Sequence, residues 1–306
     1  MSDNQISVQK TSAMKTTRRE FISRTSVGLT TIFLNLGSAI TSAASNKVKF
    51  KIGAPDWNLR QEAKIESISL AKNLGFDGVQ ISLGIGKDAL PLSDPAIQKN
   101  FLSESRRVGL PLTSVCINAL HRNILKSDAL GQRWVADSIG IARNLGVKVI
   151  LLPFFGRGAL KTRAEMEYVG DVLGEIAPAA EKSGVILGLE DTISAQDNVL
   201  VMERAKSPAV LVYYDVGNST ENGFDILKEI RWLGRERICE VHLKDNPHYL
   251  GQGKIDFVAV INALADIGFD HWAQLECDSP TGRIEDDMAR NLKYMRGVVS
   301  ERNRQR

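Results

Sequence analysis

From Val48 onward two hydropathy patterns alternate along the chain. Short apolar runs of five to eight residues are followed by polar loops and then by stretches with apolar positions at three- and four-residue spacing. The first pattern suits buried strands and the second amphipathic helices. The runs predict strands at Val48–Pro55, Gly78–Leu83, Leu112–Asn118, Val147–Phe154, Val185–Glu190, Leu211–Asp215, Ile238–Lys244 and His271–Glu276. Helices are expected over about Gln61–Leu74, Asp94–Gly109, Leu130–Leu145, Thr162–Gly184, Ala195–Ala205, Phe224–Leu233, Asp256–Ile267 and Arg283–Val299. Several end on a glycine (Gly75, Gly109, Gly146, Gly184, Gly268), the residue that most easily takes the left-handed conformation after a last helical turn.

Strict alternation of strand and helix implies a parallel sheet, and eight units close into a (β/α)8 TIM barrel, an α/β fold of one domain. An open doubly wound sheet would carry a glycine-rich phosphate loop after an early strand. The first strand is followed instead by Asp56-Trp57-Asn58.

The seventh run departs from the apolar pattern. In Cys239-Glu240-Val241-His242-Leu243-Lys244 the apolar side chains share one face and Glu240, His242 and Lys244 the other. Three further runs end on a carboxylate, at Glu190, Asp215 and Glu276. Barrel chemistry sits at the C-terminal ends of strands, and the fifth to eighth strands are neighbours. Glu190, Asp215, His242 and Glu276 can therefore converge. Three hard oxygen donors and one imidazole suit one divalent metal ion, with Mn2+ the leading expectation and Mg2+, Co2+ or Zn2+ as alternatives. Glu240 points inward beneath His242 and needs a polar partner, which Lys51 or Gln274 could supply.

The first 44 residues read as something other than fold. Thr17-Arg18-Arg19-Glu20-Phe21-Ile22 is a twin-arginine pattern; an uncharged run from Val27 to Ile40 and small residues through Ala43-Ala44 follow it. This is the layout of an export signal cleaved near Ala44, handled by the Tat translocase and delivering a periplasmic protein. The run is too short and too rich in Gly, Ser and Thr for a stable membrane anchor. Residues 45–306 form the barrel domain. Without the leader, 34 basic and 34 acidic residues remain, which argues against nucleic-acid binding. Cys116, Cys239 and Cys277 all fall on predicted strands and read as buried thiols with no disulfide framework.

The order Glu190, Asp215-x-x-Asn218, His242-x-Lys244-Asp245 and Glu276, with Leu250-Gly251-Gln252-Gly253-Lys254-Ile255-Asp256-Phe257 between the last two, resembles the sugar isomerase/epimerase superfamily of xylose isomerase-like TIM barrels. The resemblance spans about Lys47 to Val299. It implies that Glu190 and Glu276 both bind metal and transfer protons on opposite faces of the substrate, with Asp215 and His242 completing the ligands. Ketose 3-epimerases of that superfamily carry a histidine where this chain has Asn218 and an arginine where it has His248, so contacts to substrate oxygens differ. The endonuclease branch needs extra histidines, and this chain has only His121, His242, His248 and His271.

These residue types match the chemistry. Isomerising or epimerising a sugar removes a proton beside a carbonyl; a divalent ion chelating the enediolate oxygens stabilises the charge, one glutamate takes the proton and the other returns it. The expected substrate is an unphosphorylated sugar, cyclitol or keto-glycoside. Lys244, His248, Asn218, Trp57, His121 and Arg157 are candidate substrate contacts, with an ion pair to Asp191 or Asp215 as the alternative role for Lys244. A lyase or dehydratase using the same enediolate, and a non-catalytic periplasmic sugar-binding barrel, stay open as alternatives, as does homo-oligomer formation.

Overall fold

The computed structural model describes residues 47–305. The export signal expected over 1–44 lies outside the described residues. Eight parallel strands close into a barrel in chain order: β1 (Lys51–Pro55), β2 (Gly78–Ser82), β3 (Leu112–Cys116), β4 (Val149–Pro153), β5 (Ile186–Glu190), β6 (Val210–Asp215), β7 (Ile238–Leu243) and β8 (Trp272–Leu275). The outer ring consists of α1 (Glu66–Leu74), α2 (Pro95–Val108), α3 (Ala129–Leu145), α4 (Arg163–Ser183), α5 (Ala195–Ala205), α6 (Val216–Glu221), α7 (Ile226–Leu233), α8 (Phe257–Asp266) and α9 (Ile284–Arg304). No described helix is long and apolar enough to cross a membrane.

Local chemistry sets the helix ends. Asp94, Asp128, Asp225 and Asp256 each cap the helix that follows, and Thr162 with Glu165 closes a capping box on α4. Gly75, Gly109, Gly146 and Gly184 end helices in the left-handed region. The buried apolar residues fall mainly between strands and helices, where Trp134, Phe154, Phe257 and Phe269 are among the largest fully buried side chains.

Two stretches differ from the hydropathy reading. The first helix starts at Glu66 rather than near Gln61. Residues 56–65 instead wind around Asp56, whose carboxylate accepts hydrogen bonds from the Ala63 and Ser82 amides and the Ser82 hydroxyl. A second departure is α6, a short helix inserted directly after β6. Its N-cap is Asp215 itself, with Oδ1 accepting the Asn218 amide at 2.9 Å. Six residues were too few to show a periodicity.

The barrel interior is partly polar. A small apolar set (Cys116, Val149, Leu151, Tyr213, Cys239) sits beside a hydrogen-bonded cluster centred on Glu240. Glu240 Oε2 accepts from Ser114 Oγ at 2.8 Å, Tyr213 Oη at 3.0 Å and Gln274 Nε2 at 3.1 Å. Gln274 is thus the partner this buried carboxylate required. Lys51 lies over the Trp272 ring at the opposite mouth. All three cysteines are free and buried.

Candidate metal and active site

Four strand ends deliver the site. Register pairs Asp215 with His242 and His242 with Gln274, so residues of β6, β7 and β8 reach one level. Glu276 follows β8 and donates its amide to the Leu243 carbonyl, one further rung of the ladder. Glu190 closes β5. The candidate ligand atoms of Glu190, Asp215, His242 and Glu276 all lie within 4.8 Å of one another.

His242 is fully buried, and its two ring nitrogens face different surroundings. Nδ1 is 2.7 Å from Glu190 Oε1, 3.4 Å from Glu276 Oε2 and 3.6 Å from Asp215 Oδ2. Nε2 is 3.1 Å from Gln80 Oε1. Lys244 Nζ lies 2.6 Å from Glu276 Oε2 and 2.8 Å from Asp215 Oδ2. Lys244 thus makes the ion pair expected with Asp215 and a second one with Glu276.

The electrostatics follow from burying five ionisable groups together. Burial pulls the His242 imidazole down, but Glu276 and Glu190 outweigh it and lift the group to about 10. Burial also opposes the Lys244 ammonium, and Asp215 and Glu276 more than compensate, moving it up. Asp215 ends well below the usual carboxylate range: burial raises it, and Lys244 and His242 overcome that. Glu190 moves the other way, because burial outweighs the attraction of His242.

This donor set fits a divalent cation. Exchanging one such ion for the imidazolium proton would bring three carboxylates, Lys244 and the ion to neutrality, and hard oxygen donors with one imidazole are a standard environment for Mn2+-type ions. Glu190, Asp215 and Glu276 would supply oxygens and His242 its Nδ1.

Above the cluster opens a cavity of about 580 Å³, with Glu190 and Glu276 in its floor. Trp57 lines it and donates its indole N–H to Glu276 Oε1 at 2.9 Å. His121 lines it too, stacked on Phe155 with ring centroids 6.0 Å apart. Asn218 and Lys244 complete the predicted residues that reach the cavity. His248 and Arg157 lie outside it. His248 borders a neighbouring hollow with Asn246 and Lys254, and Arg157 points toward the Arg122 carbonyl, 3.4 Å away. The loop after β7 explains the first displacement. Asp245 accepts the Lys254 and Ile255 amides, which folds this loop back on itself and turns His248 aside.

Two residues escaped the sequence reading. Asn118 lines the cavity, and among the described residues neither of its side-chain amide atoms has a hydrogen-bond partner. Its signal was present, since it is the polar end of the third apolar run. Gln80 was a polar residue inside the second apolar run, which carries no sign of what it faces.

The family model for the xylose isomerase-like TIM barrel matches residues 68–298. The chain belongs to that family. A putative L-ribulose-5-phosphate 3-epimerase of Escherichia coli (strain K12) is 28% identical over 233 residues, covering 67% of this chain and 80% of that protein. Among solved structures, an L-ribulose 3-epimerase superposes with a TM-score of 0.70 at 18% identity, over 84% of this chain and 96% of that one. The IOLI protein, solved with a zinc atom bound, gives a TM-score of 0.66 at 19% identity, over 82% of this chain and 99% of that one.

Proposed function

We propose that this barrel is a metal-dependent sugar isomerase or epimerase acting on an unphosphorylated keto sugar, cyclitol or keto-glycoside. The observation that carries the reading is the convergence of Glu190, Asp215, His242 and Glu276 beneath a cavity whose floor exposes two glutamates. The epimerase names of the family relatives support the reaction class. Held by Glu190, Asp215, His242 and Glu276, a divalent cation would supply Lewis acidity that stabilises negative charge developing beside the breaking C–H bond. Mn2+ is the proposed ion, and the zinc of the IOLI protein supports a single-metal site of this kind.

The chain's own residues handle the proton. Glu190 and Glu276 stand on the floor as acid and base. Epimerisation is reversible, so each glutamate is base toward one epimer and acid toward the other. Lys244 and the Trp57 N–H hold both oxygens of Glu276, which fixes its orientation. Glu190 is held through Oε1 alone among the described residues. Asn118 and Asn218 offer amide groups to substrate hydroxyls, while Trp57 and the His121–Phe155 stack offer apolar faces to the sugar ring. Among the described residues Lys244 is the cavity's one lysine or arginine and is already paired, which favours a neutral substrate over a sugar phosphate.

Export is part of the proposal, supported by the twin-arginine pattern at Thr17–Ile22. Fractionation with N-terminal sequencing should find the mature chain in the periplasm, beginning near Ser45. The activity is tested by solvent-deuterium exchange into a panel of ketoses, inososes and 3-keto-glycosides with Mn2+ present, read by NMR. Metal-dependent exchange with epimer formation is expected. Elimination products would move the reading to a lyase. Tight sugar binding with no exchange would replace it by a sugar-binding barrel.

A further inference from the structure

Gln80 is fully buried on β2, across the barrel from His242. Its neighbours Val79 and Ile81 pack outward into the main core, and its carbonyl accepts the Asp56 amide at 2.9 Å, so the backbone beneath it is fixed. The side-chain amide has one contact among the described residues, with Oε1 3.1 Å from His242 Nε2; its own Nε2 has no partner. A buried amide with half its hydrogen-bonding capacity unused is a poor packing residue, and a leucine of similar size would be less costly there. Its one contact falls on the ring nitrogen that turns away from the carboxylates.

That contact has a chemical consequence. A neutral imidazole carries its proton on one nitrogen and a lone pair on the other, and the partner of the first decides which. An acceptor at Nε2 keeps the proton there and leaves the Nδ1 lone pair directed at Glu190, Asp215 and Glu276. A donor at Nε2 would put the proton on Nδ1, where a cation must bind.

We infer that Gln80 is a positioning residue: its Oε1 selects the Nε2–H form of His242 and so presents Nδ1 to the metal. The inference rests on the metal reading above and deepens it. Groups that orient a ligating histidine typically matter about 10- to 100-fold in metal affinity.

The test uses the full chain and Zn2+ alone, so it needs no substrate. Zn2+ affinity, measured by competition with a chelating dye, should fall about 10- to 100-fold in Gln80→Leu. Gln80→Glu retains an acceptor and should bind at least as tightly as the parent. In the 15N-histidine-labelled, Zn2+-loaded parent, long-range 1H–15N spectra should show His242 protonated at Nε2 and metallated at Nδ1. With four histidines in the chain, assignment by single substitutions is direct. Equal Zn2+ affinity in parent and Gln80→Leu, weak binding in Gln80→Glu, or metallation at Nε2 would each overturn the inference. A parent that binds no Zn2+ would instead remove the metal reading itself. Should Gln80→Leu not fold, the near-isosteric Gln80→Glu and the spectra of the parent still decide.

Discussion

Glu240 gives the sharpest prediction about what holds the barrel interior together. Burial lifts its carboxyl from 4.5 to about 7, against the opposing hydrogen bonds from Gln274, Ser114 and Tyr213. A raised folded-state pKa means that the native protein keeps this proton after the unfolded chain has lost it. The associated stability is complete below about pH 4.5, declines as pH rises and is gone above about pH 7. At about 1.4 kcal/mol per pKa unit, the loss is at most about 3.5 kcal/mol. Glu240→Gln keeps a carbonyl oxygen for the three donors and cannot ionise. The variant and the parent should therefore be of similar stability at pH 5, and the variant should lead by 1 to 3 kcal/mol, to order of magnitude, at pH 8. Asp56 and Asp191 are raised by burial to about 7 as well, but they titrate in both proteins and cancel in the difference. Equilibrium urea unfolding of both proteins from pH 5 to 8.5 measures it. Parallel pH profiles would refute the assignment of a protonated Glu240 to the native state.

Three further outcomes are expected. Glu190→Gln and Glu276→Gln should each lower turnover on the order of 10²- to 10⁴-fold at matched metal occupancy; near-parent rates in both would remove the two-glutamate mechanism, and comparing deuterium exchange with product formation shows which step each one loses. Trp57→Phe keeps the ring and removes the N–H held by Glu276, so kcat/KM should drop roughly 10- to 100-fold with little change in Tm, given 1.5–3 kcal/mol for a hydrogen bond to a charged group. Trp134→Ala, buried on α3 and not among the cavity-lining residues, should destabilise by about 3–5 kcal/mol in urea while leaving the Zn2+ affinity of the folded protein unchanged.

Most of the fold was legible because it rests on repeated local signals. Eight apolar runs, each followed by amphipathic spacing and in several cases a terminal glycine, read as eight β/α units without knowledge of any contact. The convergence of the four-residue cluster was legible for a related reason: a barrel places successive strand ends side by side, so Glu190, Asp215, His242 and Glu276 could be grouped from their positions in four runs. What escaped the sequence depends on contacts across the barrel. Gln80 reaches His242 over 162 residues of chain, and Trp57 reaches Glu276 over 219. Nothing local to either residue records the partner. His248 shows the converse, since the resemblance named it as a candidate substrate contact and the Asp245-anchored loop sets it beside a neighbouring hollow.

Asp215 joins these two kinds of information. As a strand-end aspartate before a helix it would ordinarily be read as a cap, and as one of three carboxylates gathered around His242 it would be read as a candidate ligand. It does the first and is placed for the second, because its two oxygens are divided. Oδ1 accepts the Asn218 amide at the start of α6, while Oδ2 turns to Lys244 and toward His242. The cap fixes the rotamer of Asp215, and the same helix brings Asn218 to the cavity wall. Gly217 makes room for this arrangement, since a Cβ there would stand 2.5 Å from Lys244 Cγ. The short helix that the hydropathy pattern could not reveal is therefore part of the site's construction: it aims one carboxylate of the cluster, supplies one wall residue and leaves space for the lysine that holds Glu276.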